Sequence, residues 1–331
     1  MSAELLKIDH LRVDLISVRG VYHTVRDVSL SLNEGEILGV VGESGCGKTM
    51  TAKSILRLHD EKRTFYRGDI HLYRDGREEN ILTMDKKRLG TLRGREIAMV
   101  FQDPMTTLNP LLTVGEQIME SLRYHLHMDK EAAKKRAVEL LEMVGIHPGD
   151  KRMRQYPFEF SGGMLQRASI AMALACNPRL LIADEPTTAL DVTMQAQILD
   201  LLQDLQKKLG MSILLITHNF GVVAEICDRV AVMYAGQIVE SGEVHEIFHH
   251  PSHPYTKDLI NGIPKTGRKE KYLVTIPGTP PQLNQEITGC AYAQRCSQAE
   301  DQCCRQEPET VRLSAAHTSK CHQNLKTEKV G

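Results

Sequence analysis

Gly42-Glu-Ser-Gly-Cys-Gly-Lys-Thr49 follows the apolar run Ile37-Leu-Gly-Val-Val41 and opens a stretch, Lys48 to about Leu58, with helical spacing. It fits G-x-x-x-x-G-K-[ST] without a gap, and each part has a physical reason. Glycines let backbone N–H groups turn inward around phosphates, where a Cβ would clash. A helix beginning at Lys48 turns the positive end of its dipole toward the same anion. Lys48 can reach β and γ phosphates, and Thr49 offers a hydroxyl to Mg²⁺. Gly42, Glu43, Ser44, Gly45, Cys46, Gly47, Lys48 and Thr49 are therefore the candidate phosphate contacts. A buried-strand run before the loop and a helix after it give the context the motif requires.

Outward from the loop, the chain alternates. Residues 4–15 and 25–32 read as strands, and residues 69–101 as further strands ending in Ile97-Ala-Met-Val-Phe101. The pattern then turns helical. Thr113–Leu126 and Lys130–Val144 are expected helices, the second burying Ala133, Ala137, Leu140, Leu141 and Val144, with Gly145 as its stop. A third begins near Ser161. Strand runs return at Leu180–Ala183, Ser212–Thr217 and Arg229–Tyr234, with a helix over 193–209 between the first two. Strand–helix alternation around an all-helical insert predicts an α/β core with a helical subdomain.

Two further stretches carry chemistry. Leu180-Leu-Ile-Ala-Asp184-Glu185-Pro186 is an apolar strand ending in two carboxylates. Asp184 suits the Mg²⁺ shell, and Glu185 suits a general base that polarises an attacking water. Upstream, Ser161-Gly-Gly-Met-Leu-Gln-Arg167 places an N-cap serine and two glycines, Gly162 and Gly163, at a helix start. A second helix N-terminus fit for phosphate makes most sense if it serves the nucleotide of a partner chain.

The ordered set resembles the nucleotide-binding domain of ABC transporters over about residues 4–265, with Ser161–Arg167 as the signature motif. Met164 stands where the family usually has Gln. The resemblance implies a P-loop NTPase fold: a RecA-like core with an antiparallel β subdomain, a helical ABC subdomain over about 103–175, and a small Cys-rich C-terminal extension. It assigns Gln102 to the Q-loop contact with Mg²⁺ and water, Ala189-Leu-Asp191 to the D-loop and His218 to the switch histidine at the γ-phosphate. Two such chains would pair head to tail, with each ATP between Lys48 of one and Ser161 of the other. Tyr22 is one candidate for stacking on adenine; an ordinary core or loop tyrosine is as compatible with its spacing.

His253-Pro-Tyr255-Thr-Lys-Asp-Leu259 and Ile276-Pro-Gly-Thr-Pro-Pro281 resemble the C-terminal extension of peptide and nickel importer ATPases, near the dipeptide-transporter "D" subunits. Residues 1–250 are then the nucleotide-binding domain and 251–331 the extension. The implied partners are a paralogous ATPase in a heterodimer, two transmembrane permeases and, indirectly, an extracytoplasmic substrate-binding protein. The implied place is the cytoplasmic face of the inner membrane. Peptide import is the expected task; nickel or metal-chelate import by the same engine, or a soluble non-transport ABC ATPase, are the alternatives. Cys290-x5-Cys296-x6-Cys303-x17-Cys321 could ligate a [4Fe–4S] cluster or Zn²⁺, with Cys304 able to replace Cys303. Related importer ATPases carry an iron–sulfur cluster there. A tail this polar would otherwise have little to build a core from.

Composition sets the outer limits. The chain has 331 residues, 25% of them charged and 41% hydrophobic, an ordinary globular balance. A net charge of −1 offers no basic field for nucleic acid, so no nucleic-acid partner is expected. No stretch approaches the roughly 20 apolar residues needed to span a bilayer. The N-terminus lacks a basic segment followed by an apolar run, so a cytosolic chain without signal peptide is expected.

Overall fold

The computed structural model describes residues 3–188, 190–263 and 276–327. The charged linker Lys265–Lys271 and Ala189 of the expected D-loop lie outside the described residues. The chain divides into two compact units. One comprises residues 1–3, 33–36 and 83–216; the other comprises 4–32, 37–82 and 217–331.

In the first unit, the strand Leu180–Asp184 lies between two parallel neighbours, Ile97–Val100 and Ser212–Thr217. Every residue of Leu180–Asp184 is buried, as a central parallel strand covered on both faces requires. The helices of the insert follow. Val114–Leu126 starts with a capping box between Thr113 and Glu116. Lys130–Met143 is capped by Asp129, buries the expected face (Ala133, Ala137, Leu140, Leu141) and stops before Gly145 at φ 78°. Short helices Pro104–Thr107 and Gly149–Arg152 and the longer Gly162–Ala173 belong to the same stretch, whereas Val192–Leu209 connects the strands Leu180–Asp184 and Ser212–Thr217. One helix of this unit overturns a strand expected from the sequence. Lys86–Leu92 lies where strands are expected; Asp85 caps it by accepting from the Arg88 N–H at 2.8 Å, and Leu89 and Leu92 bury its inner side.

In the second unit, consecutive hydrogen-bonded strands run Arg77–Asn80, Thr64–Arg74, Glu4–Ser17, Gly20–Asn33, Gln237–Glu243, Arg229–Tyr234 and Ile37–Val41. The Glu4–Ser17 and Thr64–Arg74 pair is antiparallel, and Ile37–Val41 runs parallel to Arg229–Tyr234. The C-terminal segment is ordered well beyond residue 250. Helices Val244–His249 and Pro254–Asn261 follow the sheet, and Thr318–Ser319 pairs antiparallel with Gln237–Glu243. Contrary to the sequence reading, the tail has core material. Tyr255 and Tyr292 sit in one apolar cluster with Val41, Val232, Tyr234 and Ile247, and Ile276, Leu283, Ile287, Cys290 and Cys296 pack against it.

Candidate functional site

The phosphate loop forms as its motif requires. The strand Ile37–Val41 is wholly buried, and the helix Lys48–Ile55 begins directly after Gly47. Gly47 is the helix N-cap at φ 109°, a conformation costly for any residue with a Cβ. A Cβ on Gly42 would lie 2.1 Å from the carbonyl oxygen of Met233, so the close approach is backbone against backbone. Lys48 is buried and donates from Nζ to the carbonyls of Gly42 (2.7 Å) and Glu43 (3.0 Å). These are neutral acceptors that a phosphate oxygen would outcompete for the ammonium charge. Burial raises the Cys46 thiol pKa against the pull of Lys48, leaving it a packing group.

In the first unit, Asp184 is buried at the end of its strand, and Glu185 follows in the left-handed region at φ 47°. For a non-glycine residue this costs on the order of 1 kcal/mol, and it turns the side chain at the strand's carboxyl end. The carboxylate accepts from Gln102 Nε2 at 2.8 Å and from the Thr188 hydroxyl at 2.9 Å, while the Glu185 N–H donates to the Ile216 carbonyl at 2.8 Å. The structure thus brings Gln102 and Glu185 together at the carboxyl ends of adjacent parallel strands, where open α/β sheets place their ligands.

Ser161 is the N-cap of Gly162–Ala173, accepting from the Met164 N–H at 3.4 Å. Ser161 and Gly162 are exposed, whereas Gly163 is buried, and a Cβ there would meet Met194 Cε at 2.0 Å. Asp191 proves to be a cap as well: it accepts from the Met194 N–H at 2.9 Å and opens Val192–Leu209. Sequence spacing did not reveal that role. In the second unit, His218 is exposed beyond the strand Ser212–Thr217, next to Asn219, which caps Phe220–Ile226. Tyr22 is half-buried on the strand Gly20–Asn33.

Sequence reasoning missed a set of residues that touches the phosphate loop. The Glu43 N–H donates to Tyr255 Oη at 2.9 Å. Its carboxylate takes a bidentate pair from Arg295, at 2.6 and 2.9 Å. The Arg295 side chain is 4% exposed and also donates to the Pro277 carbonyl (2.8 Å) and to Tyr234 Oη (3.2 Å). Its guanidinium lies 5.8 Å from the ring centres of both Tyr234 and Tyr292. The bond to Glu43 holds the Arg295 pKa above even the ordinary arginine range. The available signal was the His-Pro-Tyr stretch, which marked a resemblance without saying what Tyr255 touches.

The turn that carries Tyr255 is itself held by one buried carboxylate. Glu240 accepts from the Ser252 N–H (2.6 Å), the His253 N–H (2.9 Å) and His317 Nε2 (2.7 Å). Burial pushes the His253 pKa down to about 4, and its neutral Nδ1 accepts from the Tyr255 N–H at 3.1 Å, capping Pro254–Asn261. His317 goes the other way: its bond to Glu240 raises its pKa.

Of the five C-terminal cysteines, Cys304 is exposed, while Cys290, Cys296, Cys303 and Cys321 are buried or half-buried. These four lie near enough to interact electrostatically, and the Cys290 N–H donates to the Cys303 carbonyl at 2.7 Å. Burial pushes the Cys290 thiol up to about 11, with Cys303, Cys321 and Cys296 adding to the rise. As placed the four do not make a ready ligand set. Among the described residues, no group of three or more His, Cys, Asp or Glu side chains is arranged to hold a metal ion. The donor chemistry expected of the tail is present; the convergence is not.

Among the described residues, no helix is long and apolar enough to cross a membrane. The family model for ABC transporters matches residues 25–188, and that for the C-terminal region of oligopeptide/dipeptide transporters matches 239–303. The oligopeptide transport ATP-binding protein OppD of Bacillus subtilis is 51% identical over 315 residues, covering 95% of this chain and 87% of its own length. A Brucella melitensis relative named for peptide import is 49% identical over 324 residues, covering 93% of this chain and 96% of its own. Among solved structures, the dimeric ATP-binding cassette MJ0796 bound to ADP and Pi superposes with a TM-score of 0.63 at 28% identity, over 72% of this chain and 99% of that one.

Proposed function

Because this chain belongs to the ABC transporter family, as an ATP-binding subunit of its oligopeptide/dipeptide branch, we propose that it hydrolyses ATP to energise peptide import through a membrane ABC transporter. The observation that carries this is the pairing of a complete phosphate loop with a C-terminal region matched by the peptide-transporter model. The relatives' names support peptides over the nickel-chelate alternative.

The proposed roles follow the chemistry of each group. The amides of Gly42–Thr49 and the Lys48 ammonium bind the β and γ phosphates, replacing the carbonyl contacts Lys48 now makes. Thr49, Gln102 and Asp184 are the proposed Mg²⁺ donors, all hard oxygen ligands of the kind that ion takes. Such an ion would offset the negative charge that develops on the phosphate oxygens. Glu185 takes a proton from water as the water oxygen bonds to the γ phosphorus and the bond to the ADP oxygen breaks. Gln102 and Thr188, which hold its carboxylate, keep it aimed. His218 contacts the γ-phosphate, and Asp191 serves the D-loop turn. Ser161, Gly162 and Gly163 meet the γ-phosphate of a partner chain's nucleotide, a reading supported by their exposed helix start.

Residues 1–250 form the nucleotide-binding domain, with a helical subdomain over about 103–175, and 251–331 form the extension. The chain pairs with a paralogous ATPase and docks beneath two permeases, fed by an extracytoplasmic binding protein, at the cytoplasmic face of the inner membrane. Cys290, Cys296, Cys303 and Cys321 would be the thiolate ligands of a [4Fe–4S] cluster, or of Zn²⁺; their donor type supports this, although as placed they do not converge.

Glu185→Gln tests the chemistry. The variant keeps MgATP binding and ATP-driven pairing and loses at least about 100-fold in kcat, the scale of a general base. Hydrolysis at the wild-type rate would remove Glu185 from that role.

A further inference from the structure

The phosphate loop carries an acid, Glu43, beside the place where a highly anionic triphosphate must bind. Left unpaired, that carboxylate would repel its own ligand. Arg295 cancels the charge with a bidentate bond, in a site that leaves the guanidinium 4% exposed. Tyr255 Oη takes the Glu43 N–H at the same time, so both polar ends of this residue are fixed by the C-terminal segment. Tyr234, Tyr255 and Tyr292 hold these groups in turn, with ring centres 4.5 to 5.2 Å apart.

We propose that Arg295 is a positioning residue for ATP: the C-terminal tail clamps and neutralises Glu43, and the phosphate loop binds nucleotide well only with that clamp closed. The inference rests on the ATPase reading above. The bidentate fork fixes the carboxylate plane as well as its charge, which an ammonium could not do. The arrangement makes the affinity of the nucleotide loop depend on the seating of the tail, and Cys296, adjacent to Arg295, links that seating to the cysteine group.

The test is MgATP affinity of the full-length chain by titration calorimetry, with steady-state kinetics beside it, for Arg295→Met, Arg295→Lys, Glu43→Gln and the double variant Glu43→Gln/Arg295→Met. Arg295→Met raises Kd and KM about tenfold or more, as breaking a buried charge pair does, while kcat at saturating ATP stays within about threefold of wild type. Arg295→Lys falls between. Removing the stranded charge in the double variant recovers most of the loss, and raising the salt concentration narrows the gap between Arg295→Met and wild type by screening the repulsion. A purely architectural role would give neither the recovery nor the salt effect. Should Arg295→Met not fold, Glu43→Gln alone decides: it binds MgATP at least as tightly as wild type if Glu43 is an electrostatic liability, and a tenfold loss overturns the proposal. Lys48→Ala separates the two levels. If Lys48→Ala loses binding and Arg295→Met does not, the clamp is refuted and the ATPase reading stands. If Lys48→Ala binds normally, the phosphate-loop reading itself fails.

Discussion

Replacing Glu240 by alanine is the sharpest probe of how the tail is seated. The carboxylate is buried and receives three N–H groups, from Ser252, His253 and His317, at 2.6 to 2.9 Å. A hydrogen bond to a charged acceptor contributes about 1.5–3 kcal/mol, so independent bonds would total roughly 5–9 kcal/mol. They are not independent: His317 can shed its proton, and water can enter the vacated space. The expected loss is the smaller one of a broken buried pair, about 3–5 kcal/mol. Urea unfolding followed by the midpoint at constant slope measures it. Glu240→Gln, which keeps the volume and one acceptor, should lose about half as much.

The same network has a signed pH dependence. The folded pKa of His317 is raised, so its contribution is fully present below its unfolded value near 6.5 and fades as pH rises through the folded value. The folded pKa of His253 is lowered to about 4, so its contribution is present above 6.5 and fades as pH falls toward 4. Glu240→Ala shrinks the alkaline limb to the part that Glu246, 3.4 Å from His317 Nδ1, still supports, and leaves the acid limb. A loss below about 1 kcal/mol, or an alkaline limb undiminished in the variant, would refute the assignment of Glu240 as the anchor of this turn.

Gly42→Ala should destroy MgATP binding, because the added Cβ meets the backbone oxygen of Met233 at 2.1 Å and neither strand can yield; retained affinity in a binding titration would contradict the close approach. Anaerobic purification followed by iron, sulfide and zinc analysis should find metal in the wild type, and none after Cys290→Ser/Cys321→Ser; equal metal content in both would disprove ligation by these thiols.

How much of this was legible in the residues follows from the range of the interactions. The phosphate loop, the strand before it and the face of Lys130–Met143 are local patterns, dictated by φ > 0 at Gly47, by an unbroken apolar run and by apolar spacing along one helix. The pairing of Gln102 with Glu185 has no local sequence signal, since 83 residues separate them; the resemblance gave only a separate role to each. Helix Lys86–Leu92 was missed because about two turns offer too few periods to outvote neighbouring strand signals. The tail was misjudged for a related reason. Its prolines and charges read as weak order, whereas Tyr255 and Tyr292 find their apolar surroundings against Val41 and Tyr234, far away in sequence. Arg295 carries no sequence signal of its own: a lone arginine in a polar tail looks solvated until its carboxylate partner is known.

The sequence distance between Glu43 and Arg295, 252 residues, has a consequence for how the protein is made. At about 5–20 residues per second, the ribosome delivers the loop roughly 13–50 s before its clamp. Through that interval Val41, at the end of the strand before the loop, lacks the tyrosines it packs with, an apolar surface open to misassembly or to a chaperone. Messages that stop short of residue 295 would therefore yield a chain bearing every nucleotide-binding motif and an unfinished nucleotide loop.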